Sequence, residues 1–568
     1  MRKLGLGTGA LVGALLTASL MGILYLGRQL FGFPFVPYEL FNWLARVLPG
    51  NLVTFGIDLM IDTMLFLGIS VVDTAKTAER VMAIVQFLAG GALAGAVYFA
   101  VMNYRQVKAS LFSGLIMGAL FSFPMIATSM VITQSTVPPF INLLWLLAIF
   151  LAWGAVLSLV YGRLRSIDDS ATAVAVTEAA TALTPAESSE DELVTPDIAE
   201  PASVEKIGRR QFLIRLGAAT ATVTVVSGGL GVILASAERR RLEQALEGSM
   251  AHNTTEGDGR SPFPNANDPV VPVPGTRPEY TPIKDHYKVF LETEPTVIDS
   301  TTWVLPITGL VDNPLMLTID DFRDNYEPRD QYVTLTCISG RVGTGLIGTT
   351  LWTGAGAQEV LADAGLKENA RFLFISSGDG FFESVDLDLI NSDERIMFCY
   401  AWDGNILPID HGHPLRIWIP DRYGMKQPKW ITSIEVTDEY RDGYWVERNW
   451  DQVAQVKATS VIDTVAVDHI IEDGDQQFVP IGGIAYAGAR GISAVEVRVD
   501  GGSWEPAELR APLSETTWAI WRYEWPFATG DHTFEVRCRE ADGTPQIEED
   551  SDARPDGSSG IHSQDTSL

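Results

Sequence analysis

The stretch Val333-Thr334-Leu335-Thr336-Cys337-Ile338-Ser339-Gly340-Arg341 decides how the rest of this chain is read. Its β-branched and apolar residues spell a strand, and the strand ends by delivering a cysteine into a loop containing a glycine. A strand end holds a sulfur rigidly, and a glycine lets a bulky group approach the backbone. Arg341 nearby favours thiolate over thiol and attracts anions. Two later segments share this character. Leu407-Pro408-Ile409-Asp410-His411-Gly412-His413-Pro414-Leu415-Arg416 carries two histidines and an arginine through a turn into a strand. Gly424-Met425-Lys426-Gln427-Pro428-Lys429-Trp430 is a basic loop entering the next strand.

Outward from these segments, the chain after residue 284 alternates short strands with a few helices. Thr302–Ile307, Tyr332–Cys337, Arg371–Ser376, Ile396–Trp402, Leu415–Ile419 and Trp430–Val436 read as strands, and Ile319–Asn325 and Gln358–Ala364 as short helices. The lack of strict alternation argues for an α+β domain over 284–451. No Walker motif is present, and the GxGxxG run Gly343–Gly348 opens no predicted helix, which disfavours nucleotide cofactors. After Asp451 strands separated by turns take over. Val495, Val497 and Val499 share one face before the turn Asp500-Gly501-Gly502, and Phe534, Val536 and Cys538 share another. That pattern predicts an immunoglobulin-like β-sandwich over 452–545, with Cys538 in its core, and a disordered polar tail over 546–568.

Before residue 162 five apolar stretches occur, roughly 4–26, 52–72, 81–102, 110–132 and 139–161, and a sixth covers about 211–235. Each approaches the ~20 residues that cross a bilayer. The first five form a transmembrane domain over 1–165. Asp58 and Asp62 within the second are read as interfacial or hydrated carboxylates rather than an ion path. Residues 166–206, acidic and poor in large apolar side chains, read as a disordered tether, and 238–283 as a second linker. Arg28, Arg46, Arg105, Lys108, Arg163, Arg165, Lys206, Arg209 and Arg210 share one set of loops, which the positive-inside rule puts in the cytoplasm. The sixth span then carries the chain out, although Arg239, Arg240 and Arg241 oppose that orientation. Gly208-Arg209-Arg210-Gln211-Phe212-Leu213 ahead of an apolar run resembles a twin-arginine export signal, giving 207–237 a second reading as a signal helix. Ala235-Ser236-Ala237 offers a small-x-small cleavage site, so anchored and released forms both stay open.

The formal net charge of −30 argues against nucleic acid as a partner. Most of the positive charge is arginine, and an acidic, lysine-poor surface suits a halophilic setting where salt screens self-repulsion. Three cysteines, Cys337, Cys399 and Cys538, with no CxxC pair, argue against a disulfide framework, a zinc ribbon or a c-type haem. Two cationic loops around one poised cysteine instead suit an anionic, phosphate-bearing cofactor whose metal accepts a soft sulfur ligand.

These residues carry a resemblance. The Thr334–Cys337 loop, the Leu407–Arg416 passage and Pro428-Lys429-Trp430-Ile431 resemble the sulfite oxidase family of molybdopterin oxidoreductases. Trp303-Val304-Leu305 leading to Gly309–Leu315 and the sandwich segment Val497–Gly502 resemble it too, in matching order over about 284–545. The resemblance implies a molybdenum–molybdopterin cofactor, with Cys337 as metal ligand and the pterin dithiolene and oxo groups in the other equatorial positions. It implies that His411 and Arg416 hold the pterin or its phosphate, that Lys429 caps it, and that Asp379 hydrogen-bonds it. Tyr287 and Lys288, in His286-Tyr287-Lys288-Val289-Phe290, fall on a further cofactor-contacting segment, and Arg341 counts with Cys337 as catalytic. Cys399 is read as core, and His413 takes no role. Three departures set this chain apart: Val342 follows Arg341, Lys288 stands where an arginine is usual, and Phe381 falls on the family's active-site tyrosine. A pocket so altered binds a sulfite dianion poorly. The expected protein is therefore an enzyme with extracytoplasmic catalytic domain, using a small substrate and an electron carrier or quinone, and able to form a homodimer. The competing reading is a membrane or binding module that has lost its cofactor.

Overall fold

The computed structural model describes residues 4–49, 71–105, 110–132, 137–181, 208–250 and 263–568, with a few positions between 52 and 63. Most of the apolar stretch 52–72, including Asp58 and Asp62, falls outside the described residues, as do all of 182–207 and 251–262. The chain divides into two compact units, residues 1–48 with 77–243, and residues 49–76 with 244–568.

The helices are α1 (Leu6–Phe31), α2 (Val36–Val47), α3 (Val71–Arg105), α4 (Leu111–Ile132), α5 (Pro139–Thr181) and α6 (Arg209–Met250). All but α2 contain a stretch long and apolar enough to cross a membrane. Within the first unit α4 and α5 meet through Gly114, Gly118 and Gly154, where an added Cβ would strike the facing backbone. Helices whose surroundings are as apolar as their side chains gain by such close backbone approach. Trp153 Nε1 donates to Thr17 Oγ1 at 3.1 Å, a buried tie between α5 and α1. Helix α5 extends through Thr181 and α6 through Met250, past the expected starts of both linkers. The alanines of 171–180 and the Arg, Leu, Glu and Gln residues of 239–247 lose little freedom in a helix, which explains the extension.

The second unit begins with an α+β domain of two sheets. One has the order β2 (Leu315–Leu317), β1 (Leu305–Gly309), β10 (Ile431–Thr437), β5 (Phe372–Ser377), β6 (Phe382–Asp386), with β1 and β10 parallel. The other runs β3 (Arg329–Thr336), β4 (Ile347–Gly356), β7 (Met397–Trp402), β8 (Asn405–Ile406), with β9 (Arg416–Trp418) on β7. Helices α7 (Ile319–Asp324), α8 (Ala357–Ala364) and α9 (Leu387–Ser392) complete it. Thr318 caps α7 through a reciprocal bond with Asp321, satisfying two otherwise unpaired backbone donors. Leu305, Ile307, Phe322, Val360, Leu373, Phe398 and Ile434 form one buried core, so alternate residues of β1, β5 and β10 point at the same interior.

The C-terminal part pairs β11 (Thr459–Val465), β13 (Gln476–Tyr486), β17 (Ala519–Pro526) and β16 (Glu508–Leu509), with β12 (Ile471–Asp473) on β13. A second sheet pairs β15 (Glu505–Pro506), β14 (Ile492–Val499), β18 (Asp531–Glu540) and β19 (His562–Ser567). Val495, Val497, Phe534, Val536 and Cys538 are buried together as their alternation predicts. Asp500 and Gly501 both take positive φ, 53° and 67°, the geometry a tight two-residue hairpin turn demands.

Two expectations fail in this unit. The tail after 545 is ordered: β19 pairs with β18 from Asp531↔Ser567 to Val536↔His562. A polar strand satisfies the free backbone groups of an edge without burying apolar side chains, so composition alone misjudged it. Residues 263–283 also pack down rather than trailing as a linker. Arg510 donates to Asn265 O at 3.0 Å and Val270 O at 2.8 Å, and Arg277 pairs with Asp463 at 2.6 Å. Half-buried arginines, Arg510 just after β16 and Arg277 within the segment, fix that backbone where apolar content could not.

Candidate active site

Antiparallel pairing of β3 with β4 places Cys337 at the neck of their connecting hairpin loop. Thr336 faces Ile347 in register, and the Cys337 N–H donates to Leu346 O at 3.0 Å. Its Sγ lies 3.1 Å from Ser339 Oγ. Burial pushes the Cys337 thiol up, against the opposing pull of the Ser339 hydrogen bonds and the charge of Lys429. Arg341, by contrast, is exposed on the loop, so Lys429 takes the part of the nearby cation that the sequence suggested for Arg341.

The strands around this neck bring the expected cofactor-binding cations into adjacent register. Cys399 faces Arg416 across β7 and β9, and Arg416 faces Lys429 across an isolated bridge. Arg416 is 3% exposed; its guanidinium lies 4.4 Å from the Trp352 ring centre, and it donates to His411 O at 3.0 Å. Gly412 between them has a φ of +115°, and a Cβ there would come within 2.5 Å of Lys429 Cβ. Only glycine lets the two cationic segments close on each other. Lys429 Nζ donates to Asp410 O at 3.0 Å, while the Asp410 carboxylate takes Lys288 at 2.8 Å. Lys288 is thus committed to Asp410 and partly exposed.

His411 belongs to a buried aromatic group that the sequence reading only half found. His286 stacks on Tyr287 with ring centres 4.9 Å apart, and it meets Trp402 at 4.9 Å and His411 at 5.3 Å. Burial drives both histidines down, His286 to about 3, so both are neutral at pH 7. Tyr287 is buried close enough to Cys337 and Arg416 to feel both charges. Asp379 sits in the turn between β5 and β6, where its Oδ1 accepts the Phe381 N–H at 3.0 Å. Burial raises Asp379, and the charge of Lys429 pulls it back.

Sequence reasoning missed His286 as a site residue, although it adjoins Tyr287, and misjudged Lys426. That lysine is not free for an anion: its Nζ donates to Glu383 Oε1 at 2.6 Å in a pair with exposures of 9% and 0%. The loop therefore offers one available cation, Lys429, rather than two. A basic residue count could not reveal this, because Glu383 is 43 positions away in sequence. Phe381 lies 6.1 Å from the Tyr444 ring.

These groups fit a phosphorylated cofactor. Arg416 and Lys429 are neighbours, and burial lowers both, Arg416 to about 10, with the charge of Arg416 lowering Lys429 further. His411 Nε2 and Arg416 Nε are buried without a hydrogen-bond partner among the described residues. Such groups are costly unless an acceptor-rich anion meets them. A fold with a strand-end cysteine inside this cationic, donor-rich cradle defines a cofactor-binding oxidoreductase. Comparison with known proteins agrees: residues 292–445 match the oxidoreductase molybdopterin binding domain, and 450–552 the Mo-co oxidoreductase dimerisation domain. The chain belongs to the sulfite oxidase family of molybdopterin-dependent oxidoreductases.

Among its relatives is the mitochondrial sulfite oxidase of Macaca fascicularis, 27% identical over 44% of this chain and 54% of that one. The nitrate reductase (NADPH) of Fusarium oxysporum is 28% identical over 38% and 29%. An uncharacterized oxidoreductase of Bacillus subtilis, YuiH, is 31% identical over 27% of this chain and 73% of its own. The chain thus spans about half the length of the sulfite oxidases it matches. The cofactor of the family is molybdenum–molybdopterin.

Proposed function

We propose that this chain is an exported, membrane-anchored oxidoreductase that carries out two-electron oxygen-atom transfer on a small substrate. The observation that carries the reading is the juxtaposition of the Cys337 sulfur with the buried, anion-seeking pair Arg416 and Lys429. When bound, a molybdenum–pterin supplies two-electron oxygen-atom transfer, with electrons passing singly to or from a partner. Cys337 would hold the metal, and Arg416, Lys429 and His411 Nε2 would hold the phosphate-bearing pterin. Neutral His286 and His411, packed on Trp402, keep water from that cradle, and Asp379 offers the pterin an acceptor or donor according to its proton. Lys288 acts through Asp410, whose carbonyl orients Lys429.

Substrate choice follows from what faces the mouth. With Lys288 paired to Asp410, Phe381 lacking a hydroxyl and Val342 apolar, the mouth presents little positive charge to an incoming group. That favours a monoanion or a neutral S- or N-oxide over a dianion. The five apolar helices support anchoring, and Arg209-Arg210 at the start of α6 supports twin-arginine export, with the catalytic part outside the cytoplasm. A quinone or soluble carrier would exchange the electrons. The two C-terminal sheets suit an immunoglobulin-like sandwich, and the dimerisation-domain match supports a homodimer.

The test is Cys337→Ser in the full-length chain, with molybdenum and pterin content measured and sulfite, S-oxides and N-oxides screened using an artificial electron carrier. Wild type should carry about one molybdenum per chain, and the variant should lose turnover. Full turnover in the variant, or purified wild type empty of metal and pterin, would refute the reading, the latter outcome favouring a cofactor-free module.

A further inference from the structure

The loop that carries Cys337 is gripped from outside by a segment with no part in holding the cofactor. Residues 337–346 join β3 to β4, and past the neck the loop makes two turns of its own. The Gly340 N–H donates to Cys337 O at 3.1 Å, and Thr344 donates to Arg341 O through its N–H at 3.0 Å and its hydroxyl at 2.8 Å. A loop fastened only by such local bonds opens at small cost. Residues 557–562 fasten it at two further points. The Ser558 hydroxyl donates to Gly340 O at 2.8 Å. The His562 ring lies against Gly343, where a Cβ would come within 2.5 Å of Nε2, and Gly343 has a φ of +85°. The two grips flank Arg341.

The gripping segment is itself firmly held. His562 begins β19, and its Nδ1 accepts the Ile462 N–H at 3.2 Å. Gly557 O accepts Lys457 Nζ at 2.7 Å, and Gly560 O accepts the side-chain amide of buried Gln546 at 2.8 Å. Gln546 Oε1 in turn accepts the Cys538 N–H at 2.9 Å and the Ser460 hydroxyl at 2.8 Å. A segment pinned to two sheets transmits their rigidity to whatever it touches. Residues 553–568 also lie beyond the stretches matched by either family model.

We propose that Ser558 and His562 are positioning residues for the reaction: they fix the 337–346 loop, which carries both Cys337 and the exposed Arg341, so that Arg341 is held at a set place to receive substrate. This rests on the reading of Cys337 as the metal ligand. Arg341 does the touching, and Ser558 and His562 act through the loop backbone.

The experiment uses full-length holoprotein with Ser558→Ala, Ser558→Thr and the double replacement Ser558→Ala/His562→Ala. Hydrogen exchange is followed at the amides of residues 338–346, and kinetics with sulfite or dimethyl sulfoxide, whichever wild type turns over. Losing the Ser558 bond should speed exchange at Gly340 and Thr344 about tenfold, with Ser558→Thr restoring protection. KM should rise about threefold to tenfold while kcat stays within about twofold and molybdenum content is unchanged. A purely structural role would lower molybdenum content and kcat together, and that outcome overturns the proposal. Unchanged loop exchange in the double variant overturns it too, as does faster exchange with unchanged KM. If wild type holds no molybdenum, the reading of the site fails by itself, while the exchange measurement still decides whether this segment holds the loop.

Discussion

His413 gives the structure its most quantitative consequence. It is 4% exposed, its Nδ1 has no hydrogen-bond partner among the described residues, and burial, aided by the nearby charge of Arg323, holds it at about 4 instead of 6.5. The folded protein therefore resists protonating this ring, whereas the unfolded chain accepts a proton near 6.5. Between those values the unfolded state binds more protons, so stability falls as pH falls, and it is fully present above about pH 7. A gap of about 2.5 pH units corresponds to about 3.4 kcal/mol once the pH is below 4. By pH 5 about 2 kcal/mol of it is already gone. His413→Leu keeps an apolar side chain of similar bulk and removes the proton site. Native-state hydrogen exchange at the amides of Ile417 and Ile431, which bond to Pro428 O and Leu415 O, reads the local free energy around it. The variant and wild type should differ in slope, diverging by about 2 kcal/mol between pH 7.5 and pH 5. His286, His411 and His562 are also shifted down by burial, but they titrate in both proteins and cancel in the difference. Parallel pH profiles for the two proteins would show that His413 is hydrated or hydrogen-bonded enough to take its proton in the folded state, and the reasoning would fail.

Three further outcomes follow from the same packing. Lys426→Met leaves Glu383 charged and buried, and should cost about 3–5 kcal/mol in denaturant unfolding, while Lys426→Met with Glu383→Leu should recover most of it. Gly412→Ala combines a φ of +115° with a clash on Lys429, so molybdenum content should fall several-fold while circular dichroism of the apo chain stays native; full loading would disprove that close approach matters. Arg416→Met should abolish pterin retention without lowering the melting temperature of the apo protein by more than a few degrees, because it removes a buried cation that burial already disfavours. A large apo destabilisation would mean that the His411 and Trp352 contacts dominate instead.

The strands around the cysteine were legible because each is short and rich in β-branched or aromatic side chains, so residue type and position agree. Tyr332–Cys337, Arg371–Ser376 and Ile396–Trp402 all fall within a few residues of β3, β5 and β7. Strand β4, Ile347–Gly356, was not read, since glycine and threonine fill it and its role is to lie close against β3 and to leave room for His286 at Gly348. β19 was not read for the opposite reason: its stability comes from backbone pairing with β18, and period-based reasoning sees only side chains.

The site divides along the same line. Residues that act by charge and type, such as Cys337, Arg416 and Lys429, announce themselves in sequence, because a thiol beside basic loops is uncommon without a reason. Whether a given charge is available is a pairing question, and pairing is decided at long range. Lys426 is spent on Glu383 and Lys288 on Asp410, leaving Arg416 and Lys429 as the buried cations that face the cradle. The same logic sorts the arginine next to the cysteine. Arg341 is neighbour to Cys337 along the chain, but its exposure removes it from the thiol's field, and the Gly340 and Gly343 contacts with Ser558 and His562 determine where it stands. Adjacency in sequence thus named the correct loop, while the residues that shape what this loop can do came from a segment more than two hundred positions away.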